Sequence, residues 1–175
     1  MSGRGSRALV ANGGNDCVMT PPDLARKIVK HFRPRGAVLE PCRGDGAFTQ
    51  ALPRCFWCEI REGKDFMEWQ DPVDWIITNP PYSKLLDFLK HSMTVADNVV
   101  FLCAVNALFF KARQNAIEEA GFGIVEILRV PTPSAPWPQS GFGIGAVWMM
   151  RNWTGAIHLS GSHILKDANH RDLNE

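Results

Sequence analysis

Asn79-Pro80-Pro81-Tyr82 is the sharpest chemical feature of the sequence, and its tyrosine is the only one in the chain. Two consecutive prolines remove N–H donors and fix the main chain, so a carbonyl and a carboxamide there can face a cleft instead of a β-ladder. A second feature, Glu40-Pro41-Cys42-Arg43-Gly44-Asp45-Gly46-Ala47-Phe48, sets two glycines one residue apart. Glycine at such a turn lets the backbone approach a ligand closely while the N-terminus of a following helix faces it. It differs from a phosphate loop: G-K-[ST] is absent, and Glu40 and Asp45 would repel phosphate, so a ligand with positive charge or many hydroxyls suits it better. Glu59 follows Glu40 by 19 residues, a spacing at which an acid commonly accepts hydrogen bonds from ribose hydroxyls. Each motif also has a plainer reading: an ordinary Asn-Pro turn, glycines needed only for packing, and an exposed loop acid.

The elements that would position these residues alternate. Thr20-Pro21-Pro22-Asp23 offers a hydroxyl cap, proline in the first turn and an acid three residues on, which predicts a helix start. Leu24, Ile28 and Phe32 recur every four residues, giving one apolar stripe that Pro34 closes. Ala37-Val38-Leu39 reads as a strand, the glycine loop follows it, and Phe48, Ala51 and Leu52 continue at helical spacing. Cys55 to Ile60 and Asp74 to Thr78 read as further strands, the latter ended by the prolines. Ser83 is placed to cap a helix over Leu85 to Met93; Asn98 to Val105 reads as a buried strand and Phe109 to Ala120 as a helix stopped by Gly121. Ile124 to Val130 and Gly143 to Met150 are joined by Pro131 to Gly141 without a helix, so they are expected to pair as an antiparallel hairpin. An α/β sheet with helices on its faces follows, with ligands outside the carboxyl ends of its strands. The expected organisation is a flexible basic N-terminus over 1–15, one domain over 16–152, and a polar tail over 153–175 holding His158, His163 and His170, with a short strand at Ala156 to Leu159.

Composition narrows the class. With 175 residues, 45% hydrophobic and 21% charged, the chain suits one folded domain and disfavours disorder, collagen or coiled coil. No apolar run reaches the roughly 20 residues of a membrane span, and no secretory signal is evident, so a cytoplasmic location is expected. Five cysteines at irregular spacing argue for reduced thiols, and Cys55-Phe-Trp-Cys58 lacks the second half of a zinc site, so no metal is expected. The net charge of +1 conceals a basic segment: residues 1–35 carry seven Lys/Arg against two Asp. Arg4 and Arg7 there either touch phosphate or belong to a solvated terminus.

Taken in order, the motifs resemble those of S-adenosylmethionine (SAM)-dependent amino-methyltransferases, and within them the DNA N6-adenine type. The resemblance covers Asp16 to about Arg151. Thr20-Pro21 resembles the family's N-terminal SAM motif, placed before the glycine motif as in the gamma arrangement. Glu40-Pro41-x-x-Gly44-Asp45-Gly46-x-Phe48 is similar to the glycine motif, with Glu59 in the ribose-acid position and Asp65-Phe66 in the position that holds the cofactor's adenine. Asn79-Pro80-Pro81-Tyr82 matches the catalytic motif letter for letter. The resemblance implies a Rossmann-like class I methyltransferase sheet, mostly parallel with an antiparallel last strand, and SAM as cofactor. Only Arg61, Glu62, Gly63 and Lys64 separate the second strand from Asp65, so one edge of the sheet is expected to be reduced. The separate target-recognition domain of sequence-specific members is likewise not expected within these 175 residues.

What the resemblance implies chemically is direct methyl transfer to adenine N6 in DNA, the nucleic-acid partner, with Asn79 and the Pro80 carbonyl accepting the two amino hydrogens and Tyr82 stacking on a flipped base. Substrate contacts beyond that base fall to Ser83, Lys84, Lys111, Arg113 and the proline-rich loop around Trp137, whose indole either stacks on a base or packs the hairpin end. Two alternatives stay open. The same four letters occur in enzymes that methylate rRNA bases or a protein glutamine, and a catalytically silent SAM-fold subunit would keep the fold without the reaction. The oligomeric state is not legible.

Overall fold

The computed structural model describes residues 18–134, 137 and 141–161. Arg4, Arg7, His163, His170 and part of the proline-rich loop lie outside the described residues.

Helix α1 (Pro22–Phe32) begins one residue later than a Thr20 cap requires: Pro21 occupies the cap position and no side chain caps the helix. Prolines need no partner for an N–H they lack, and Asp23 in the first turn pairs with Arg26, so the hydroxyl of Thr20 is left for another role. Strand β1 (Val38–Glu40) leads into the glycine loop and the short α2 (Ala47–Ala51), and β2 is only Phe56–Trp57. Glu59 is therefore not at a strand end; it caps a single 3₁₀ turn at Ile60–Glu62. Next come β3 (Val73–Thr78), α3 (Leu85–Val95) and β4 (Ala96–Ala104). Ser83 does not cap α3. It sits within a 3₁₀ turn at Tyr82–Lys84, and Lys84 takes the cap position. A further 3₁₀ stretch, Val105–Phe109, takes the start of the expected helix, leaving α4 as Lys111–Glu119. Strands β5 (Phe122–Arg129), β6 (Ile144–Arg151) and β7 (His158–Ser160) complete the sheet.

The seven strands are ordered β2-β1-β3-β4-β6-β5-β7. β1 pairs in parallel with β2 and β3, and β3 with β4, whereas β6 runs antiparallel to both β4 and β5. The expected hairpin is thus present, and β6 is inserted between its partner β5 and the parallel half. The edge carrying β2 is reduced to two residues, while β7 extends the opposite edge by pairing in parallel with β5.

Alternation along each strand divides the core between the two faces. Leu39, Ile76, Val99, Phe101 and Cys103 pack under Leu85, Phe88, Leu89 and Met93 of α3 and Ile117 of α4. Their neighbours Val38, Ile77, Val100 and Leu102 pack under Leu24, Ala25 and Ile28 of α1 and Phe48 of α2. After β1 the chain crosses over one face to β2, and after β3 it crosses over the other face to β4. The carboxyl ends of the adjacent strands β1 and β3 therefore open onto a topological switch point, where a crevice forms.

Candidate active site

Glu40, the last residue of β1, and Asn79, the first after β3, line one cavity together with Val18, Thr20, Cys42, Gly44 and Phe48. The loops that carry them are tied directly, since the Cys42 thiol donates to the Asn79 carbonyl at 3.2 Å. Burial pushes the Cys42 thiol up to about 12, so it stays a neutral donor.

The glycine loop has the backbone that its sequence anticipates. Gly44 and Gly46 adopt positive φ of 52° and 83°, and Gly46 begins α2 from the left-handed region. A Cβ on Gly46 would meet the Thr49 hydroxyl at 3.0 Å, and one on Gly44 would meet the Met19 sulfur at 3.0 Å. The Gly44 N–H donates to Glu59 at 2.8 Å, closing the loop onto the turn after β2.

The two acids of the site differ in charge because their surroundings differ. Glu40 is 2% exposed, and its Oε2 is buried with no hydrogen-bond partner among the described residues. Burial pushes its carboxyl up to about 9, against the pull of the Thr49 backbone and Arg43, so it is protonated at neutral pH. Burial acts on Glu59 in the same sense. It is outweighed by hydrogen bonds from the Arg61 side chain and from the Gly44 and Arg61 backbone, which hold Glu59 below the usual carboxylate range.

The remaining residues singled out in the sequence divide between the cavity and its surroundings. Asp45 and Thr20 line the cavity; Pro41 is buried and Pro21 holds the cap position of α1, and neither lines it. Asp65 and Phe66 do not reach it: Asp65 caps a 3₁₀ turn by accepting from the Met67 N–H at 2.9 Å, and Phe66 is buried against Phe88 and His91. Pro80 is buried and Tyr82 half-buried against the α3 side of the core, where burial pushes the phenol up to about 12. Ser83, Lys84 and Lys111 are exposed. Arg113 instead donates to the Ala107 carbonyl at 2.8 Å and holds the turn after β4 in place. Trp137 is 4% exposed within the α1-side core, so its indole packs the hairpin end and presents no face to a base.

The exposed aromatic groups at this rim are others, which sequence patterning does not single out. Phe109 and Phe110 end the turn after β4, and Phe142 precedes β6; all three are about half exposed or more. The two segments are joined where the Val105 N–H donates to the Gly143 carbonyl at 2.9 Å. Adjacent phenylalanines flanking a turn read as core, and only their exposure in the fold distinguishes them. Among the described residues no group of His, Cys, Asp or Glu could hold a metal ion, and no helix is long and apolar enough to cross a membrane. Cys55 is half-buried and Cys58 buried, and burial raises both thiols.

No family model and no curated protein matches this sequence. Solved structures do. A candidate RNA methyltransferase from Pyrococcus horikoshii aligns with a TM-score of 0.59 at 14% identity, over 77% of this chain and 83% of its own. A candidate class I SAM-dependent methyltransferase from Listeria monocytogenes aligns at 0.58 and 11%, over 86% and 69%. The fold is that of the Rossmann-like SAM-dependent methyltransferases. The modification subunit of a candidate type I restriction enzyme from Vibrio vulnificus shares this methyltransferase fold, with a TM-score of 0.60 at 18% identity over 94% of this chain. The chain spans about half of that subunit, 55% of its length.

The residues present suit the cofactor that this fold implies. A buried carboxyl with an unpartnered oxygen is a site for a cation, and the two glycines leave backbone open to close approach. The cavity itself is about 30 Å³, the space of a water molecule. Met19 and Arg43 line it with long side chains, Arg43 being paired with Glu62 at 2.9 Å.

Proposed function

We propose that this chain transfers a methyl group from SAM to an exocyclic amine, and that the amine is N6 of adenine in DNA. The observation that carries the reading is the convergence of Asn79 and the buried Glu40 on one cavity at the switch point. Bound SAM supplies an electrophilic methyl group on a cationic sulfur. Glu40 would give the cofactor's cationic end a partner, Gly44 and Gly46 would admit its amino-acid end, and Glu59, which stands behind the loop on the Gly44 N–H, would hold the ribose. An aromatic amine is a poor nucleophile because its lone pair is delocalised into the ring. Asn79 Oδ1 and the Pro80 carbonyl, by accepting the two amino hydrogens, localise that pair and aim it. Tyr82, Phe109, Phe110 and Phe142 offer stacking faces to a base outside the helix, and Lys84 and Lys111 offer charge to phosphates. The DNA assignment draws on the Thr20-Pro21 motif ahead of the glycine loop and on the alignment with the restriction-enzyme subunit over 94% of this chain.

Few side chains at this rim can read base edges, so methylation is expected at a very short motif or at adenines in general, weakening as salt rises. Incubation with labelled SAM and DNA, RNA or total protein in parallel, followed by identification of the modified nucleoside or residue, tests this. N6-methyladenine in DNA is the expected product. A product confined to RNA or protein overturns the substrate, and a motif of about five or more fixed bases overturns the specificity.

Cofactor placement has its own test. Gly46→Val puts a β-branched side chain at φ 83° and against Thr49, a conformation that such residues essentially never adopt. SAM binding by calorimetry is expected to disappear, and wild-type affinity in this variant would refute the placement.

A further inference from the structure

The Asn79 side chain is not held by its own loop. Its Nδ2 donates to the Val18 carbonyl at 2.8 Å and to the Thr20 hydroxyl at 3.2 Å, both in the segment that leads into α1, some 60 positions away in sequence. A carboxamide nitrogen carries two hydrogens, and these two acceptors take both. A backbone carbonyl can only accept, so turning the amide over would set Oδ1 against the Val18 oxygen, acceptor against acceptor. Oδ1 has no partner among the described residues. Thr20 is available for this contact because it does not cap α1: the cap position belongs to Pro21.

We infer that Thr20 is a positioning residue for Asn79: together with the Val18 carbonyl it occupies both amide hydrogens and so fixes Oδ1 as the atom presented to the target amine. The inference rests on the methyltransferase reading of Asn79 and adds a role for Thr20 that does not require it to touch SAM. The geometry has an energetic consequence. An amide free to turn would present its N–H₂ to the amine half of the time, donor against donor, whereas the pinned amide is ready before substrate arrives. Because the Val18 carbonyl remains when Thr20 is changed, the loss is partial.

Thr20→Val, which keeps the shape and removes the acceptor, is expected to lower kcat about five- to tenfold, the size of one net hydrogen bond. Thr20→Ser is expected to restore kcat. The Asn79 side-chain amide gives a second readout, independent of turnover. In ¹⁵N-resolved NMR spectra, Thr20→Val is expected to shift one of the two Nδ2 hydrogens strongly and speed its exchange with solvent, and Thr20→Ser to leave it near the wild-type position. An unmoved Asn79 resonance, or a weakened SAM affinity with kcat unchanged, would overturn the positioning role. Absence of transferase activity in the wild-type protein, together with the expected NMR shift in Thr20→Val, would overturn the functional reading alone and leave the orientation of Asn79 standing.

Discussion

An Asn79→Ala variant is expected to lose about 10²- to 10³-fold in methyl transfer while binding SAM within a few-fold of wild type. In the proposed reaction this side chain carries the acceptor that localises the amine's lone pair. The tie between the loops survives, because the Cys42 thiol donates to the backbone carbonyl of residue 79 and not to its side chain. Folding is expected to suffer modestly, since the Val18 carbonyl and the Thr20 hydroxyl lose their donor at a half-buried position. Single-turnover rates and equilibrium SAM titration on the same preparation separate these effects. A variant with near-normal turnover would exclude the Asn-Pro-Pro-Tyr mechanism. Equal losses of turnover and SAM affinity would mean that Asn79 serves the cofactor and not the amine.

Glu40→Gln is expected to act oppositely on folding and on ligand binding. The carboxyl's ordinary value is 4.5 and the fold raises it to about 9, with one oxygen buried and unpartnered. Above pH 4.5 the unfolded chain has therefore released a proton that the folded chain still holds. Stability of the ligand-free protein falls as pH rises from there through about 9, by up to about 1.4 kcal/mol per pH unit. Glutamine keeps the shape without the titration, so the heat stability of the variant relative to wild type is expected to grow steadily between pH 5 and 9. The same change removes the only charge that the site can offer a buried cation from the end of β1, and SAM affinity is expected to drop tenfold or more. Wild-type protein should also release a proton on binding SAM near neutral pH, visible as a buffer-dependent heat in calorimetry, and the variant should not. A pH-independent stability difference would show that Glu40 is not held protonated, and unchanged SAM affinity would remove it from the cofactor site.

How much of this was legible beforehand depends on the range of the forces involved. The order of elements and the antiparallel hairpin follow from local patterning: a continuous apolar run in Asn98 to Val105, proline stops after Thr78 and a helix-free link before Gly143; the reduced edge follows from the family resemblance, where only four residues stand in place of a helix and a strand. The two glycines were legible for the same reason, since a left-handed turn before a helix is a local backbone requirement, met here at φ 52° and 83°. Caps were not. Thr20 and Ser83 have the right chemistry beside the right helices, but a cap is worth only about 1 kcal/mol, and prolines and 3₁₀ turns displaced both. The short tail strand was legible within two residues, at His158–Ser160, but its place at the sheet edge beside β5 was not.

The sequence by itself determined which residues could do chemistry, because proline, glycine and carboxamide properties travel with the residue. Only the tertiary structure decided what state each is in. Glu40 and Glu59 are the same residue type 19 positions apart. One is left protonated by a buried, unpartnered oxygen, and the other is kept ionised by Arg61 and the Gly44 N–H. Trp137 and Phe110 are both aromatic residues near one rim, yet packing in the core on the α1 side of the sheet hides the first at 4% exposure, while the second is 59% exposed. Desolvation and hydrogen-bond partners depend on which distant segments meet, and no local pattern encodes that: the contact between Asn79 and Thr20 exists only because the sheet brings the end of β3 beneath the start of α1.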